Sequence, residues 1–347
     1  MIVNVDGHQS LQGDRLSPQI MNPTSAASML SELPSPLPEA DAARLISLDL
    51  KHLGALVDRA HTLQQERSGS KVDLCAIVNA RSGSCEQDCA FCSQSAHASS
   101  EIDIHSMKDA PEIVEHARRA EAAGAHRFCI VTSGGSLSPQ DFETALNAIE
   151  SIAMDTQLSR CASLGALTEE RARRLADSGL DRYHHNLETA RSFYPEICTT
   201  QSYDSRIQTV MHLRSAGVEL CSGGILGLGE SPEQRIEFAA DLQRVAPDSV
   251  PINFLSPRPG TALEGRPQMQ PKEAIRYLAI FRMMLPDSII RLAGGRCETL
   301  GGDQELALRA GIDGLLIGDY LTTFGPQVTE DKRLLERLGF DLTLGRC

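Results

Sequence analysis

From Val72 onward, short apolar runs alternate with amphipathic segments, and this alternation constrains the fold more than any other feature of the chain. Eight runs have the length of strands: Asp73 to Asn79, Arg127 to Thr132, Arg160 to Gly165, Arg182 to Leu187, Glu219 to Gly224, Ser249 to Leu255, Ile289 to Leu292 and Gly314 to Asp319. Between them lie segments of helical periodicity, among them Pro111 to Ala123, Thr168 to Ser178, Ser205 to Ala216, Pro232 to Val245, Pro271 to Met284 and Gln304 to Ala310. Several open on Ser, Thr or Pro and stop near Gly, as helix caps require. Strand and helix alternating eight times predict an α/β chain folded as a (β/α)8 TIM-type barrel, with its active site at the C-terminal ends of the strands. A chain of 347 residues is long enough for one large barrel or two ordinary domains. Two domains would need a linker in mid-chain, and none is visible.

Ahead of the barrel, Leu45, Leu48, Leu53, Leu56 and Val57 recur at roughly helical spacing, which predicts an N-terminal leader helix over Ala42 to Gln65. Residues 1–40, rich in Ser, Pro, Asn and Gln, predict a flexible N-terminal tail. The expected organisation is a tail over 1–40, the barrel domain over 41–342 and a short C-terminal tail over 343–347.

The loop expected after the first strand carries Cys85-Glu-Gln-Asp-Cys89-Ala-Phe-Cys92, a C-x3-C-x2-C triplet. Three thiolates hold three corners of a 4Fe-4S cubane, whereas clusters of pure electron carriers normally have four cysteine ligands. The spare iron can then bind a small molecule, so the spacing points to chemistry at the cluster. A zinc knuckle is the competing reading. Zinc loops usually show C-x2-C pairs with a second pair downstream, and none follows here.

A net charge of -13 argues against nucleic acid or an anionic membrane as partner, because both attract basic surfaces. Small molecules are the expected ligands. Ten cysteines fit either disulfides or metal. No N-terminal stretch joins a basic region to a continuous apolar run, and no run reaches transmembrane length. The expectation is a cytoplasmic chain whose thiols stay reduced and available as ligands.

The triplet, with Phe91 just before its last cysteine, resembles the radical S-adenosylmethionine (SAM) enzymes. The runs Asn79-Ala-Arg-Ser-Gly-Ser-Cys85, Cys92-Ser-Gln-Ser-Ala96, Cys221-Ser-Gly-Gly-Ile-Leu-Gly-Leu-Gly-Glu230 and Val250-Pro-Ile-Asn-Phe254 are similar to the biotin synthase family. This resemblance covers roughly residues 50 to 342. It implies a sulfurtransferase that inserts sulfur into dethiobiotin to form biotin, with two clusters and SAM. A 4Fe-4S cluster on Cys85, Cys89 and Cys92 would bind SAM through its amino and carboxylate groups. Phe91 and the segment of Gly223, Gly224, Ile225 and Gly227 match positions that contact SAM. Arg206 matches the residue that neutralises its carboxylate. Asn186 and Glu188, at the end of the fourth strand, would serve ribose and substrate, and Asn253 would hold the substrate's ureido ring.

Cys129, Cys161 and Cys221, each on an expected strand, would one by one read as small core residues. Together with Arg291 on the seventh strand they match the ligands of the family's second, 2Fe-2S cluster. Arginine is normally a protonated donor, so that ligand rests on the resemblance alone. The resemblance further implies a homodimer and a reductant protein such as flavodoxin or ferredoxin. His184, Glu188 and Cys297 depart from the better-known members, which carry Asn, Asp and Glu there. Cys297 could ligate a different cluster or be inert; Cys75, Cys198 and Cys347 match no ligand position and read as structural or incidental. The histidines His184 and His185 are expected to position substrate by hydrogen bonds. Competing functions are another radical SAM enzyme of the same barrel type, such as a hydrogenase-cluster maturase, or a non-catalytic iron-sulfur carrier.

Overall fold

A computed structural model describes residues 23–323 and 325–343; residues 1–22 of the expected tail and 344–347 at the C-terminus lie outside the described residues. Three helices lead in: α1 (Pro23–Ser31), α2 (Glu39–Ile46) and α3 (Leu53–Ser68). Strands and helices then alternate as β1 (Asp73–Arg81), α4 (Ala110–Ala122), β2 (Arg127–Thr132), α5 (Pro139–Asp155), β3 (Ser159–Ser163), α6 (Glu169–Asp177), β4 (Arg182–His184) and α7 (Tyr203–Ser215). After them come β5 (Glu219–Cys221), β6 (Gly224–Leu226), α8 (Pro232–Val245), β7 (Ser249–Phe254), α9 (Pro271–Met284), β8 (Ile289–Leu292), α10 (Arg296–Leu300), α11 (Gln304–Arg309), β9 (Gly314–Leu316) and α12 (Val328–Arg337).

All strand pairs are parallel, and the sheet closes: β1 pairs with both β2 and β9, and β7 pairs with β8, with β6 and, through Ser249, with Cys221 of β5. Strands β5 and β6 are two halves of one barrel strand broken at Ser222 and Gly223, so the chain is the expected eight-stranded (β/α)8 barrel. Side chains local in sequence start its helices. Asp109, Ser138, Thr168 and Ser202 each accept a backbone N–H of the first turn at 2.9 to 3.2 Å, and Ser231 with Gln234 forms a capping box.

Two expectations change. The leader is interrupted after Ile46, because Arg276 donates to the carbonyls of Ile46 and Leu48 at 2.7 and 2.8 Å while Asp49 caps a short 3-10 turn before α3. Residues 23–40 are also not a free tail. Ala26, Leu30 and Leu37 are fully buried, and the Leu37 backbone bonds to Met283 and Gln243. The apolar signal there is too short to read as periodicity, and tertiary contact with α3 and α9 supplies what propensity lacks.

Along each strand alternate side chains face the lumen, and register partners face the same way. The inward set on β1 is Asp73, Cys75, Ile77 and Asn79, paired with the set Arg127, Cys129 and Val131 on β2, and so on around the barrel. Its N-terminal end is filled by charge. Asp73 lies 2.8 Å from Arg291, 3.4 Å from Arg182 and 3.7 Å from Arg127. Arg182 also holds Glu219 at 2.8 Å. Burial alone would raise the Asp73 carboxyl, but Arg291, Arg127 and Arg182 overturn that and hold it down at about 2.

Asp73→Asn leaves three buried guanidinium groups short of their common anion. Urea denaturation of the cluster-free protein is expected to show a loss of about 3–5 kcal/mol, the range for breaking a buried pair from one side. A loss below about 1 kcal/mol, the value of an exposed pair, would show that water reaches this end of the lumen.

Candidate active site

At the C-terminal end of the strands the barrel opens into a cavity of about 460 Å³. Its wall includes the loop cysteines Cys85, Cys89 and Cys92, the strand cysteines Cys129, Cys161 and Cys221, and Arg206 and Arg291. The two cysteine sets of the sequence therefore meet in one chamber.

The loop that carries the triplet follows β1 and is pinned by its own polar residues. Gly83 N–H donates to Gln94 Oε1 at 3.1 Å, Ala96 N–H to the Cys85 carbonyl at 2.7 Å, and Gly135 N–H to Glu86 Oε1 at 2.9 Å. Asp88 accepts the backbone N–H groups of Thr199 and Thr200 at 2.9 and 3.1 Å, which ties the loop to the segment before α7. Cys85, Cys89 and Cys92 are all partly exposed. Burial pushes the Cys92 thiol up to about 11, so a metal bound there would displace a proton. Among the described residues no three His, Cys, Asp or Glu side chains converge as ligands of a single ion; a cubane, which takes one thiolate per iron, does not require such convergence.

A second group surrounds the break in the fifth strand. Arg206 on α7 is buried, and it donates to the Asn186 carbonyl at 2.9 Å and the Tyr194 hydroxyl at 2.7 Å. Its guanidinium lies 3.7 Å from Glu188. Asn186 Oδ1 accepts the Gly223 N–H at 3.0 Å, and its Nδ2 donates to Glu188 at 3.2 Å. Glu188 has a φ of 72° and is clamped on both sides: its N–H donates to the Gly223 carbonyl at 3.1 Å and its carbonyl accepts the Ile225 N–H at 2.8 Å. Glycine is required at the break because the backbones nearly touch. A Cβ at Gly223 would lie 2.0 Å from the Pro251 oxygen, and one at Gly224 would lie 2.2 Å from the Glu188 oxygen.

Most of the expected residues are brought together. Phe91, Asn186, Glu188, Arg206, Ile225 and Asn253 line the cavity with both cysteine sets and Arg291. Gly223 and Gly224 stand behind its wall as backbone spacers, and Gly227 forms a turn whose N–H donates to Glu230 at 2.7 Å. Asn253 is already engaged: its Nδ2 donates to the Gly224 carbonyl at 3.1 Å and its Oδ1 accepts the Gly294 N–H at 2.9 Å. His184 Nδ1 is 3.4 Å from Cys221 Sγ. His185 is kept neutral by burial, then by Arg206 and His184, and its buried Nε2 has no partner. Arg291 Nε is likewise buried without a partner. These orphaned polar atoms, beside thiols that face space, fit a chamber built around polar and sulfur-rich groups.

Cys297 does not join the chamber wall; its charged neighbours are Arg296, Glu298, Asp331 and Glu330. Three features escaped the sequence reading. Ser133, Gly134 and Gly135 after β2 line the chamber, Cys75 lies in the lumen, and Cys198 Sγ lies 3.8 Å from Cys89 Sγ. The period-two pattern of β1 held the signal for Cys75. Cys198 sits in irregular chain between β4 and α7, where no pattern predicts a neighbour.

Comparison with known proteins agrees with this geometry. The Radical SAM superfamily profile matches residues 81–242, and the Biotin and Thiamin Synthesis associated domain matches residues 251–341. The biotin synthase of Pelotomaculum thermopropionicum is 47% identical over 298 residues, covering 86% of this chain and 93% of that protein. That of Heliobacterium modesticaldum is 45% identical, covering 87% and 92%. Among solved structures, methylornithine synthase PylB superposes with a TM-score of 0.77 at 20% identity, over 91% of this chain and 97% of that one. The hydrogenase maturase HydG of Carboxydothermus hydrogenoformans superposes with a TM-score of 0.78 at 17% identity, over 92% and 78%. At those identities the two structures speak for the barrel fold alone.

Gly224→Ala should cost about 1–3 kcal/mol, the usual penalty for overpacking. Denaturant midpoints of parent and variant test this, and equal midpoints would mean that β6 and Glu188 are free to move apart.

Proposed function

The chain belongs to the biotin synthase family of radical SAM enzymes, and from that premise we propose how its residues divide the work. The reaction inserts sulfur into dethiobiotin to form biotin, the last step of biotin biosynthesis. When bound, the 4Fe-4S cluster would supply the electron for reductive cleavage of SAM, and SAM the radical chemistry at substrate carbon.

The protein's part is to hold, neutralise and exclude. Cys85, Cys89 and Cys92 hold the loop cluster, and their placement on a loop tied to β2 and to Thr199 keeps them over the mouth. The Arg206 cation offsets the SAM carboxylate, while Glu188 accepts hydrogen bonds from the ribose. Asn186, Phe91 and Ile225 complete the cofactor wall. The turn at Gly227 and the spacers Gly223 and Gly224 let the backbone come close. Asn253, fixed by Gly224 and Gly294, presents its amide edge to the ureido ring of dethiobiotin. Cys129, Cys161, Cys221 and Arg291 carry the second, 2Fe-2S cluster. The observation that carries this reading is the single chamber lined by both thiol sets and by Arg206. A radical on carbon is too short-lived to await a diffusing sulfur source, so the donor must already stand at near-attack distance.

A cytoplasmic homodimer reduced by a protein such as flavodoxin or ferredoxin, as the family resemblance implies, completes the proposal. The net charge of -13 disfavours nucleic acid and anionic membranes as partners. Among the described residues no helix is long and apolar enough to cross a membrane.

Cys89→Ser is expected to abolish 5'-deoxyadenosine formation by reconstituted protein; undiminished cleavage would remove the loop triplet from the reaction. Arg206→Leu is expected to weaken SAM binding by about 1–3 kcal/mol in an equilibrium titration, the range for a lost charged hydrogen-bond partner. For the sulfur source, protein reconstituted with isotopically labelled sulfide should release labelled biotin in a single turnover. Cys161→Ala should still cleave SAM yet release none, and labelled biotin from that variant would place the donor elsewhere.

A further inference from the structure

The three lumen cysteines are not equivalent. Cys129 and Cys161 are register partners on β2 and β3, so each has the other as a cross-strand neighbour. Cys221, the last residue of β5, has His184 of β4 as its register partner, and both side chains line the chamber. His184 Nδ1 lies 3.4 Å from Cys221 Sγ, within reach of an N–H···S hydrogen bond. We propose that His184 is a positioning residue for the lumen cluster: it donates its Nδ1 hydrogen to the Cys221 thiolate and thereby raises the reduction potential of the cluster. The proposal rests on the reading that Cys129, Cys161, Cys221 and Arg291 hold that cluster. It gives His184 a use other than the substrate contact expected from the sequence.

Chemistry fixes the direction of this bond. A cysteine that ligates iron has lost its proton and keeps lone pairs, so the ring nitrogen facing it must carry the hydrogen. The backbone fixes its place. His185 N–H donates to the Cys221 carbonyl at 2.8 Å, and Ser222 N–H donates to the Ser249 carbonyl at 2.9 Å, so Cys221 is held between β4 and β7. Donor and acceptor thus stand on adjacent strands in fixed register, and the contact does not depend on a loop. Reduction of an iron-sulfur cluster adds negative charge that its sulfur atoms share, and a donor to sulfur stabilises that state more than the oxidised one. An apolar side chain in place of His184 offers no such donor, and the cluster becomes harder to reduce.

The test uses the full chain with Cys85, Cys89 and Cys92 changed to Ala, reconstituted anaerobically with iron and sulfide so that only the lumen site can fill. In a redox titration followed by EPR of the reduced cluster, His184→Leu should lower the reduced-to-oxidised ratio at a fixed potential about tenfold, a shift of about 59 mV for one electron. His184→Asn, whose amide N–H can replace the Nδ1 donor, should recover most of that shift. A leucine variant at the parent's potential overturns the proposal, and so does an asparagine variant no higher than leucine. Where a variant takes up no cluster, the parent decides. After labelling with 15N-histidine, pulsed EPR of its reduced cluster should show a weak 15N coupling, as from a hydrogen-bonded ring; no coupling, or the strong coupling of a directly bound nitrogen, overturns the proposal. If the parent takes up no iron at all, the second-cluster reading falls and this proposal with it. A parent that fills but shows neither the shift nor the coupling removes this proposal alone.

Discussion

The lumen of a closed parallel barrel must be filled by its own alternate side chains, and here the N-terminal end is filled by an ion network centred on Asp73. Three arginines from three other strands converge on this carboxylate. Removing water from any one of these groups alone would be costly, so each is tolerable only with the others in place. The network closes that end of the barrel without the bulky branched side chains that usually do so. Above it many of the inward positions are small, among them Cys75, Cys129, Cys161, Cys221, Ser163 and Ala293. Small thiols over a charged base leave open the chamber that the reaction requires.

The opposite end depends on a different constraint, the break in the fifth strand. Glu188 adopts a left-handed conformation that non-glycine residues avoid, and it is held there by backbone bonds to Gly223 and Ile225. The glycines in turn are required because Glu188 and Pro251 approach within the space a Cβ would occupy. Strain and break support each other. Together they hold Asn186 and Glu188 beside the buried guanidinium of Arg206, with Tyr194 and the Asn186 carbonyl orienting that cation. A loop alone would not hold a charge so firmly; helix α7 presents Arg206 from a rigid element.

The two ends also differ in how they use thiols. The loop cysteines sit on irregular chain, partly exposed and tied down by Glu86, Asp88 and Gln94, an arrangement that would suit ligands of a cluster open to a second molecule. The lumen cysteines sit on strands and are buried, so their positions are fixed by the sheet itself.

The periodicities of the chain determined the barrel, because eight alternations of apolar strand and amphipathic helix have few other ways to bury their faces. Local spacing likewise determined the loop triplet, and the glycine run marked the close approach at Gly223 and Gly224. The residues Cys129, Cys161, Cys221 and Arg291 were recognisable through family resemblance, not through any pattern of their own, since they lie far apart in sequence. What only the tertiary structure decided is which side chains share a layer. Asp73 and Cys75 looked like ordinary members of an apolar strand until barrel closure brought them against Arg291 and Cys161, and Cys198 met Cys89 only through the fold of an irregular segment. The helical packing of residues 23–40 was hidden for the same reason: a short helix carries little local signal, and its stability comes from the surface it covers.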